Sequence, residues 1–280
     1  ATALVDGHNA LGQVTGKFSM ELTIDKAKKF GIGIVSARGS NHYGICGYYS
    51  LMAAEAGLIG FSCTNSSPLM VPTRGKVSAL GTNPLSLAMK SKNDEFVLDM
   101  ATTAIALGKV EVALNKGVPI LEGCALGKDG KETTDAADAN TARKLMPLGG
   151  REVTSGFKGY GLATMVEILC GILSGSHFGP NIRSWTAGDR VADLGHCFMA
   201  INPEVFAPGA GERLGQLLKQ LREIPTAEDA PGSVLVAGDP ERAAMKRVDE
   251  EGGIRYHPNQ MKVVNELAQA HGVVPMKTIN

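Results

Sequence analysis

The sequence lacks the features that would assign it at once to several classes of protein. It carries 28 Lys and Arg against 28 Asp and Glu, so it has no basic excess of the kind that nucleic-acid binding requires. It has no uninterrupted apolar run of about 18 residues, as a membrane span would need. Its first residues show no basic segment followed by an apolar one. We therefore expect no nucleic-acid partner, no membrane span and no signal peptide.

Cysteine is scarce and widely dispersed. The five cysteines form no Cys-x-x-Cys pair, and no His-Glu-x-x-His motif is present. Zinc sites usually draw their ligands from such short pairs, so we expect no metal site. An odd, scattered set of cysteines is typical of reduced, buried thiols, and it favours a cytoplasmic location.

Two signatures of nucleotide binding are also absent. The phosphate loop GxxxxGK[ST] does not occur, and no GxGxxG follows a predicted strand. Glycine itself is abundant, at 35 residues. Such an excess indicates many tight turns and close backbone approaches. A Rossmann fingerprint is therefore missing from a chain that is rich in glycine.

Hydrophobic spacing predicts a mixed chain of the α/β or α+β class. The predicted helices cover residues 13–30, 45–56, 106–114, 159–173, 212–223, 240–250 and 258–271. The predicted strands cover residues 32–37, 58–63, 85–89, 95–100 and 197–201. Residues 132–142 are expected to be polar and exposed.

Two clusters of polar residues follow consecutive predicted strands. His42, beside Asn41, precedes a predicted helix; it either exchanges protons near neutral pH or, with Asn41, caps that helix. Ser66 lies in the polar run 64–68; this run either binds phosphate or ribose or is an ordinary turn. The residues alone leave both choices open.

Two single charged residues also draw attention. Asp99 lies in an apolar strand, where it either accepts backbone hydrogen bonds or serves a site. Lys158 lies in a glycine-rich turn before an apolar helix, and its ammonium with the helix amides would form an anion site. The remaining histidines, His196 among them, show no metal spacing and are expected to be surface or packing residues.

Six segments, taken in order, resemble the family of NAD(P)-dependent malate, L-lactate, L-sulfolactate and ureidoglycolate dehydrogenases. They are residues 5–13, 40–44, 64–66, 80–85, 98–102 and 158–163. Each motif alone is weak, whereas six in sequence over nearly the whole chain are specific. The resemblance implies a non-Rossmann α/β fold that binds NAD or NADP in a cleft, and a homodimer whose subunits share the active site.

The same resemblance implies the chemistry and the residues that carry it. Hydride would pass between the nicotinamide cofactor and a small 2-hydroxy acid, malate or lactate, with His42 as the acid/base group. The cofactor would contact Ser66, Met100, Ala101, Thr102, Lys158, Gly238 and Asp239. Arg38 is the cation nearest in sequence for the substrate carboxylate. A reductase of cyclic imino acids, a ureidoglycolate-type dehydrogenase and a catalytically silent relative are the alternatives.

The resemblance also implies a division of the chain. Residues 1–30 would be a helical segment, residues 31–200 the cofactor-binding domain, and residues 201–280 a helical segment that packs with the N-terminal part. Family members carry a helical leader before the segment that matches residues 5–13, and this leader supplies a cation to the substrate site. We therefore expect little activity without a leader, and exposed apolar faces on the last two helices.

Overall fold

The computed structural model describes residues 1–278, and a six-stranded sheet forms its centre. The strands are β1 (Thr2–Asp6), β2 (Ile32–Ser40), β3 (Ile59–Thr64), β4 (Leu85–Lys90), β5 (Glu95–Met100) and β8 (Leu194–Ile201). Their spatial order is β1-β2-β8-β3-β4-β5. β1 and β2 are parallel, and every other neighbouring pair is antiparallel.

Eight helices surround this sheet and a small hairpin in the part of the chain that is described. They are α1 (Gly12–Phe30), α2 (Cys46–Glu55), α3 (Leu107–Lys116), α4 (Ala136–Ala142), α5 (Gly156–Glu167), α6 (Ala210–Arg222), α7 (Asp239–Glu251) and α8 (Pro258–Ala270). A π-helical segment, Ile168–Ile172, continues α5, and the hairpin pairs β6 (Ala125–Leu126) with β7 (Lys144–Leu145).

Helices cover both faces of the sheet. Met20 of α1 and Tyr49 of α2 pack with Phe198 of β8 on one face. Val166 of α5 packs with Cys197 on the other face. Successive side chains of a strand point to opposite faces, so neighbouring residues of β8 serve two different cores. The predicted α/β class is therefore confirmed.

The buried cysteines agree with the expected reduced state. All five thiols are buried and free of disulfides. Burial raises the pKa of the Cys170 thiol, which keeps it protonated. Within residues 1–278, no helix is both long and apolar enough to cross a membrane.

Most predicted elements are confirmed to within a few residues, but the end of β2 and the absence of β1 from the predicted strands need correction. β2 continues past the predicted end at residue 37, because Ser40 still pairs with Leu194 after a bulge. The strand β1 was not predicted, and it joins the main sheet beside β2. β1 is therefore part of the central sheet, and α1 packs against β2 and β8 on one face of that sheet.

The segment 132–142 is also corrected, because it is not simply polar and exposed. It contains α4, whose N-terminus is capped by the Asp135 carboxylate accepting from the amides of Ala137 and Asp138. Ala136 and Ala139 are buried in a small core with α3. Alanine contributes little to a hydrophobic pattern, so the buried face was not visible in the sequence.

Helices α6 and α7 are held to the β4–β5 hairpin, whereas α8 contacts α3 through the Asn259 side-chain amide, which donates to the Asn115 carbonyl at 3.1 Å. Arg222 of α6 pairs with Asp94 at 2.5 Å, and Arg242 of α7 pairs with Glu95 at 3.1 Å. The partners of each pair lie more than a hundred residues apart in the sequence, so no local pattern predicts these contacts. Met245 of α7 is exposed, in line with the expected apolar face of this helix.

Candidate active site

The candidate residues converge because several strands end or begin at one edge of the sheet. His196, near the start of β8, pairs with Ala37 of β2 and with Thr64 of β3. Leu85, at the start of β4, pairs with Met100 at the end of β5. The loops that carry His42, Ser66 and residues 100–102 therefore leave the sheet at the same edge.

His42 lies in the loop between β2 and α2 and is exposed. Its Nδ1 accepts a hydrogen bond from the Gly44 amide at 3.1 Å. Helix α2 begins at Cys46, and its N-cap residue, Ile45, makes no side-chain hydrogen bond. The interpretation of His42 as a helix cap is therefore wrong. Within residues 1–278 its Nε2 has no hydrogen-bond partner, so this nitrogen is free to exchange a proton with a ligand.

Asn41 does not cap the helix either; it holds the N-terminal loop against the loop of His42. Its Nδ2 lies within 3.2 Å of the Asn9 carbonyl, 3.0 Å of Asn9 Oδ1 and 2.9 Å of the Ala10 carbonyl. A Cβ added at Gly12 would lie 2.1 Å from the Asn41 carbonyl oxygen, so the start of α1 rests on this backbone. The motif in residues 5–13 thus packs against the loop of His42 and supports it.

The carboxylate of Asp99, on β5, supports the start of α2, the helix that follows the loop of His42. Its Oδ2 accepts the Gly47 amide in the first turn of α2 at 2.7 Å. A carboxylate is favoured at a helix N-terminus, where backbone amides lack partners. Of the two interpretations of Asp99, the one that gives it a backbone donor is confirmed.

His196 is a buried imidazole just behind this loop. Its Nε2 lies 2.7 Å from Ser40 Oγ, and its Nδ1 lies 2.7 Å from Thr64 Oγ1. Burial, with a smaller contribution from the neighbouring His42, lowers its pKa to about 3. His196 is therefore neutral at physiological pH and is a poor candidate for the acid/base group itself.

A chain of hydrogen bonds joins Ser66 to residues 100–102. Ser66 Oγ accepts from the Thr82 amide at 3.1 Å. Thr102 donates its amide and its hydroxyl to the Thr82 carbonyl, both at 2.9 Å. The Thr102 side chain is fully buried, so its role is to fix the loop, and a ligand would meet the neighbouring Met100 and Ala101. Gly81 faces Ser66 so closely that a Cβ would lie 2.3 Å from Ser66 Oγ.

A buried polar cluster behind Ser66 was missed by sequence reasoning. Asn65 and Asn83 donate to the two carboxylate oxygens of Glu167 at 3.1 and 2.9 Å. Burial raises the pKa of Glu167, and the two amide donors oppose that rise. Asn83 also accepts the Ser66 amide at 3.2 Å. Asn65 and Asn83 lie in segments 64–68 and 80–85, which the sequence singled out, whereas their connection through Glu167 left no signal beyond an acid within the apolar helix α5.

Lys158 lies in the first turn of α5, beside an open cleft of about 440 Å³. The cleft is lined by Leu148, Gly149, Thr154, Ser155, Lys158, Gly159 and Leu162. A second cleft of about 270 Å³ shares Leu148, Gly149 and Thr154 with the first. Lys158 is exposed and has no ion-pair partner within residues 1–278.

These features fit an anionic dinucleotide. The ammonium of Lys158 and the N-terminus of α5 offer positive charge to a pyrophosphate. Leu148 connects this cleft to the loops of the sheet edge, because its amide donates to the Thr102 carbonyl at 2.9 Å. The residues present, with Leu148 linking the Lys158 cleft to the loop of Thr102, are therefore suited to hold a nicotinamide cofactor.

Gly238 and Asp239 lie at the outer edge of β5. The Val97 amide donates to the Ala237 carbonyl at 3.1 Å, which places this turn beside the strand. The Asp239 carboxylate pairs with Arg222 at 2.8 Å and with Arg242 at 2.7 Å, and these hydrogen bonds strongly lower its pKa. Its two oxygens are thus already engaged by protein donors. Gly238 has a φ of 99°, in the left-handed region that favours glycine.

Arg38 is not free of partners. Its Nε lies 3.1 Å from Asp6 Oδ2, across the pair of parallel strands β2 and β1. Both side chains are substantially exposed, so the ion pair is weak. In residues 1–278, no cluster of three or more His, Cys, Asp or Glu side chains could hold a metal ion.

Known dehydrogenases are similar to this chain over almost its whole length. A family model described as malate/L-lactate dehydrogenase matches residues 1–265. A malate dehydrogenase of Pyrococcus horikoshii is 48% identical over 277 residues, which cover 97% of this chain and 75% of that protein. An L-sulfolactate dehydrogenase of Methanocaldococcus jannaschii is 44% identical over 270 residues, covering 95% and 76%.

A solved structure extends this similarity to three dimensions. The crystal structure of malate dehydrogenase from Entamoeba histolytica superposes with a TM-score of 0.89 at 31% identity. The superposition covers 99% of this chain and 79% of that one.

Proposed function

The chain belongs to the malate/L-lactate dehydrogenase family and is an oxidoreductase of small 2-hydroxy acids, and we propose that malate is its substrate and His42 its acid/base group. The observation that carries the proposal is the exposed ring of His42 at the edge of the sheet, with Nε2 unpartnered within residues 1–278. The loops of Ser66 and Met100 leave the same edge.

The proposed mechanism assigns each residue one task. A nicotinamide cofactor bound here would supply the hydride acceptor for C2 of the substrate. His42 Nε2 takes the proton of the C2 hydroxyl during oxidation and returns it during reduction. A neutral imidazole is needed in one direction and an imidazolium in the other, so the favoured direction depends on pH.

The cofactor would be held along the surface that joins the sheet edge to α5. Lys158 would contact the pyrophosphate, while Ser66, Met100 and Ala101 would line the nicotinamide half. Thr102 would act through the loop it fixes, and Gly238 through its backbone. The contribution of Asp239 would be indirect, because its carboxylate holds Arg222 and Arg242.

We propose Arg38 as the cation nearest to the substrate carboxylate. A substrate would have to replace Asp6 as its partner. An exposed ion pair contributes about 0–1 kcal/mol, so the exchange is energetically accessible. We also propose a homodimer, a cytoplasmic location, and either NAD or NADP as cofactor.

A substrate panel tests the proposal. Malate, lactate, sulfolactate, ureidoglycolate and a cyclic imino acid would each be assayed with both cofactors, following the nicotinamide absorbance. We expect the highest kcat/KM with malate and one of the two cofactors. Turnover of the imino acid alone would replace this function by the reductase, and cofactor binding without any turnover would identify a silent relative.

A further inference from the structure

The buried imidazole of His196 has no part in the proposed mechanism, yet it joins the two loops that the mechanism uses. It is 0% exposed and lies on β8, between the ends of β2 and β3. Its partner Ser40 precedes His42 by two residues, and its partner Thr64 precedes Ser66 by two residues. One ring therefore fixes the separation of the proton-exchanging loop and the cofactor loop.

Both nitrogens of the neutral His196 ring have hydroxyl partners. The Thr64 hydroxyl lies 2.7 Å from Nδ1, and 2.9 and 3.2 Å from the carbonyls of Asn65 and Gly195. The Ser40 hydroxyl lies 2.7 Å from Nε2 and 3.5 Å from the Asn41 carbonyl. Because a hydroxyl can both donate and accept, each ring nitrogen is satisfied in either neutral tautomer.

Aromatic stacking extends the connection to the residue next to His42. The rings of His196 and Tyr43 are stacked, with centroids 4.5 Å apart and planes at 13°. Tyr43 is itself fixed, because its carbonyl accepts from the Tyr49 hydroxyl and its own hydroxyl lies 2.9 Å from Ser62 Oγ. His196 therefore contacts the chain on both sides of His42, at Ser40 and at Tyr43.

We propose that His196 is a positioning residue, which sets the placement of the His42 ring relative to the cofactor loop at Ser66. The inference rests on the proposed function, in which His42 moves the proton. A misplacement of about 1 Å at a reacting group lowers rates by about two orders of magnitude. Loss of the two hydrogen bonds should therefore lower kcat while leaving KM for the cofactor little changed.

A double-mutant cycle tests whether His196 acts through His42. His196→Phe keeps a stacked ring but removes both hydrogen bonds, and we expect it to lower kcat about 10–100-fold. In the His42→Ala background the same change should lower kcat less than about threefold, because the group it positions is gone. Equal effects in both backgrounds would overturn the proposal.

Two further variants separate positioning from general damage to the core. Ser40→Ala removes the hydroxyl that pairs with Nε2 and keeps the His196 ring, and it should lower kcat about 3–10-fold. Thr23→Ala is the matched control: its hydroxyl is equally buried and donates to the Ser19 carbonyl at 2.7 Å, within α1. We expect its kcat to match that of the unmodified chain, and a loss equal to that of Ser40→Ala would contradict the proposal.

Amide hydrogen exchange gives a readout that is independent of turnover. In His196→Phe, the amides of residues 41–45 and 65–67 should exchange at least about tenfold faster, with β2 and β8 still protected. Unchanged exchange in both loops would overturn the inference even in an active enzyme. If no substrate is turned over, or if His42→Ala has no effect, the proposed function fails, and the exchange result still decides whether His196 holds the loops.

Discussion

At the scale of single residues, two histidines lie close together in opposite surroundings. His42 is exposed with one free nitrogen among the described residues, whereas both nitrogens of His196 are buried and partnered. We predict that His42→Ala lowers kcat by about two to four orders of magnitude, as expected for loss of a general acid/base. Cofactor affinity should stay within about twofold, measured by nicotinamide fluorescence. His271→Ala, at an exposed position, is the control, and a loss below about threefold for His42→Ala would remove its proposed role.

The environment of His196 also predicts how stability depends on pH. Its folded pKa of about 3 lies below the unfolded value of 6.5, so between these values the unfolded chain binds more protons than the folded one. The contribution of His196 to the free energy of unfolding should therefore be fully present above about pH 6.5. It should decrease as the pH falls toward 3, by at most about 5 kcal/mol. Urea unfolding at several pH values would measure this.

The variant His196→Phe isolates that contribution from those of the carboxylates. It has no imidazole to protonate, so its free energy of unfolding should change less steeply between pH 6.5 and pH 5. Identical slopes in the two proteins would show that His196 is not the titrating group.

Sequence reasoning at this scale located His42 and Ser66 after strands and Asp99 within one, but it did not find the role of His196. His42 and Ser66 stood out because polar clusters followed two predicted strands. His196 was expected only to pack, since a single polar residue in an apolar strand does not reveal its cross-strand neighbours. Its partners come from β2 and β3, more than a hundred residues away in the chain.

At the scale of elements, the N-terminus of α5 carries the proposed anion site. We predict that Lys158→Ala weakens cofactor affinity at least tenfold, because a charge-assisted hydrogen bond contributes about 1.5–3 kcal/mol. Isothermal titration would give the dissociation constant. Lys262→Ala, on the exposed side of α8, should leave it unchanged. Equal dissociation constants for Lys158→Ala and the unmodified chain would assign Lys158 a structural role.

The elements themselves were largely predictable, and the exceptions have physical causes. Apolar spacing and the glycines that follow identified α1 and α2, and the polar turn between two apolar runs identified the β4–β5 hairpin. β1 was missed because it is a short edge strand whose residues alternate between exposed and half-buried, which leaves little hydrophobic contrast. The position of α6 and α7 was missed because ion pairs hold them to the hairpin, and such pairs leave no periodic signal.

At the scale of the whole molecule, one exposed apolar stripe supports the proposed homodimer. It runs along α5 and its π-helical continuation and consists of Phe157, Met165, Ile168 and Ile172. The two isoleucines are 54% and 53% exposed, although both lie in the helical layer that covers the sheet. Gly161 lies on the same stripe, and a Cβ there would meet open space, so a second helix can approach closely. Contiguous apolar surface of this kind usually marks an interface.

The stripe gives a direct test of the oligomeric state. We predict that the unmodified chain sediments as a dimer and that the double variant Ile168→Glu, Ile172→Glu sediments as a monomer, because four carboxylates would face one another across a two-fold interface. Val274→Glu, at a position 92% exposed and away from the stripe, should remain dimeric. Circular dichroism of the double variant would establish that it is folded. If the unmodified chain is a monomer, the proposal of a homodimer fails. If the double variant is still a dimer, the interface lies elsewhere, and the exposed face of α1 around Phe18 is the next surface to test.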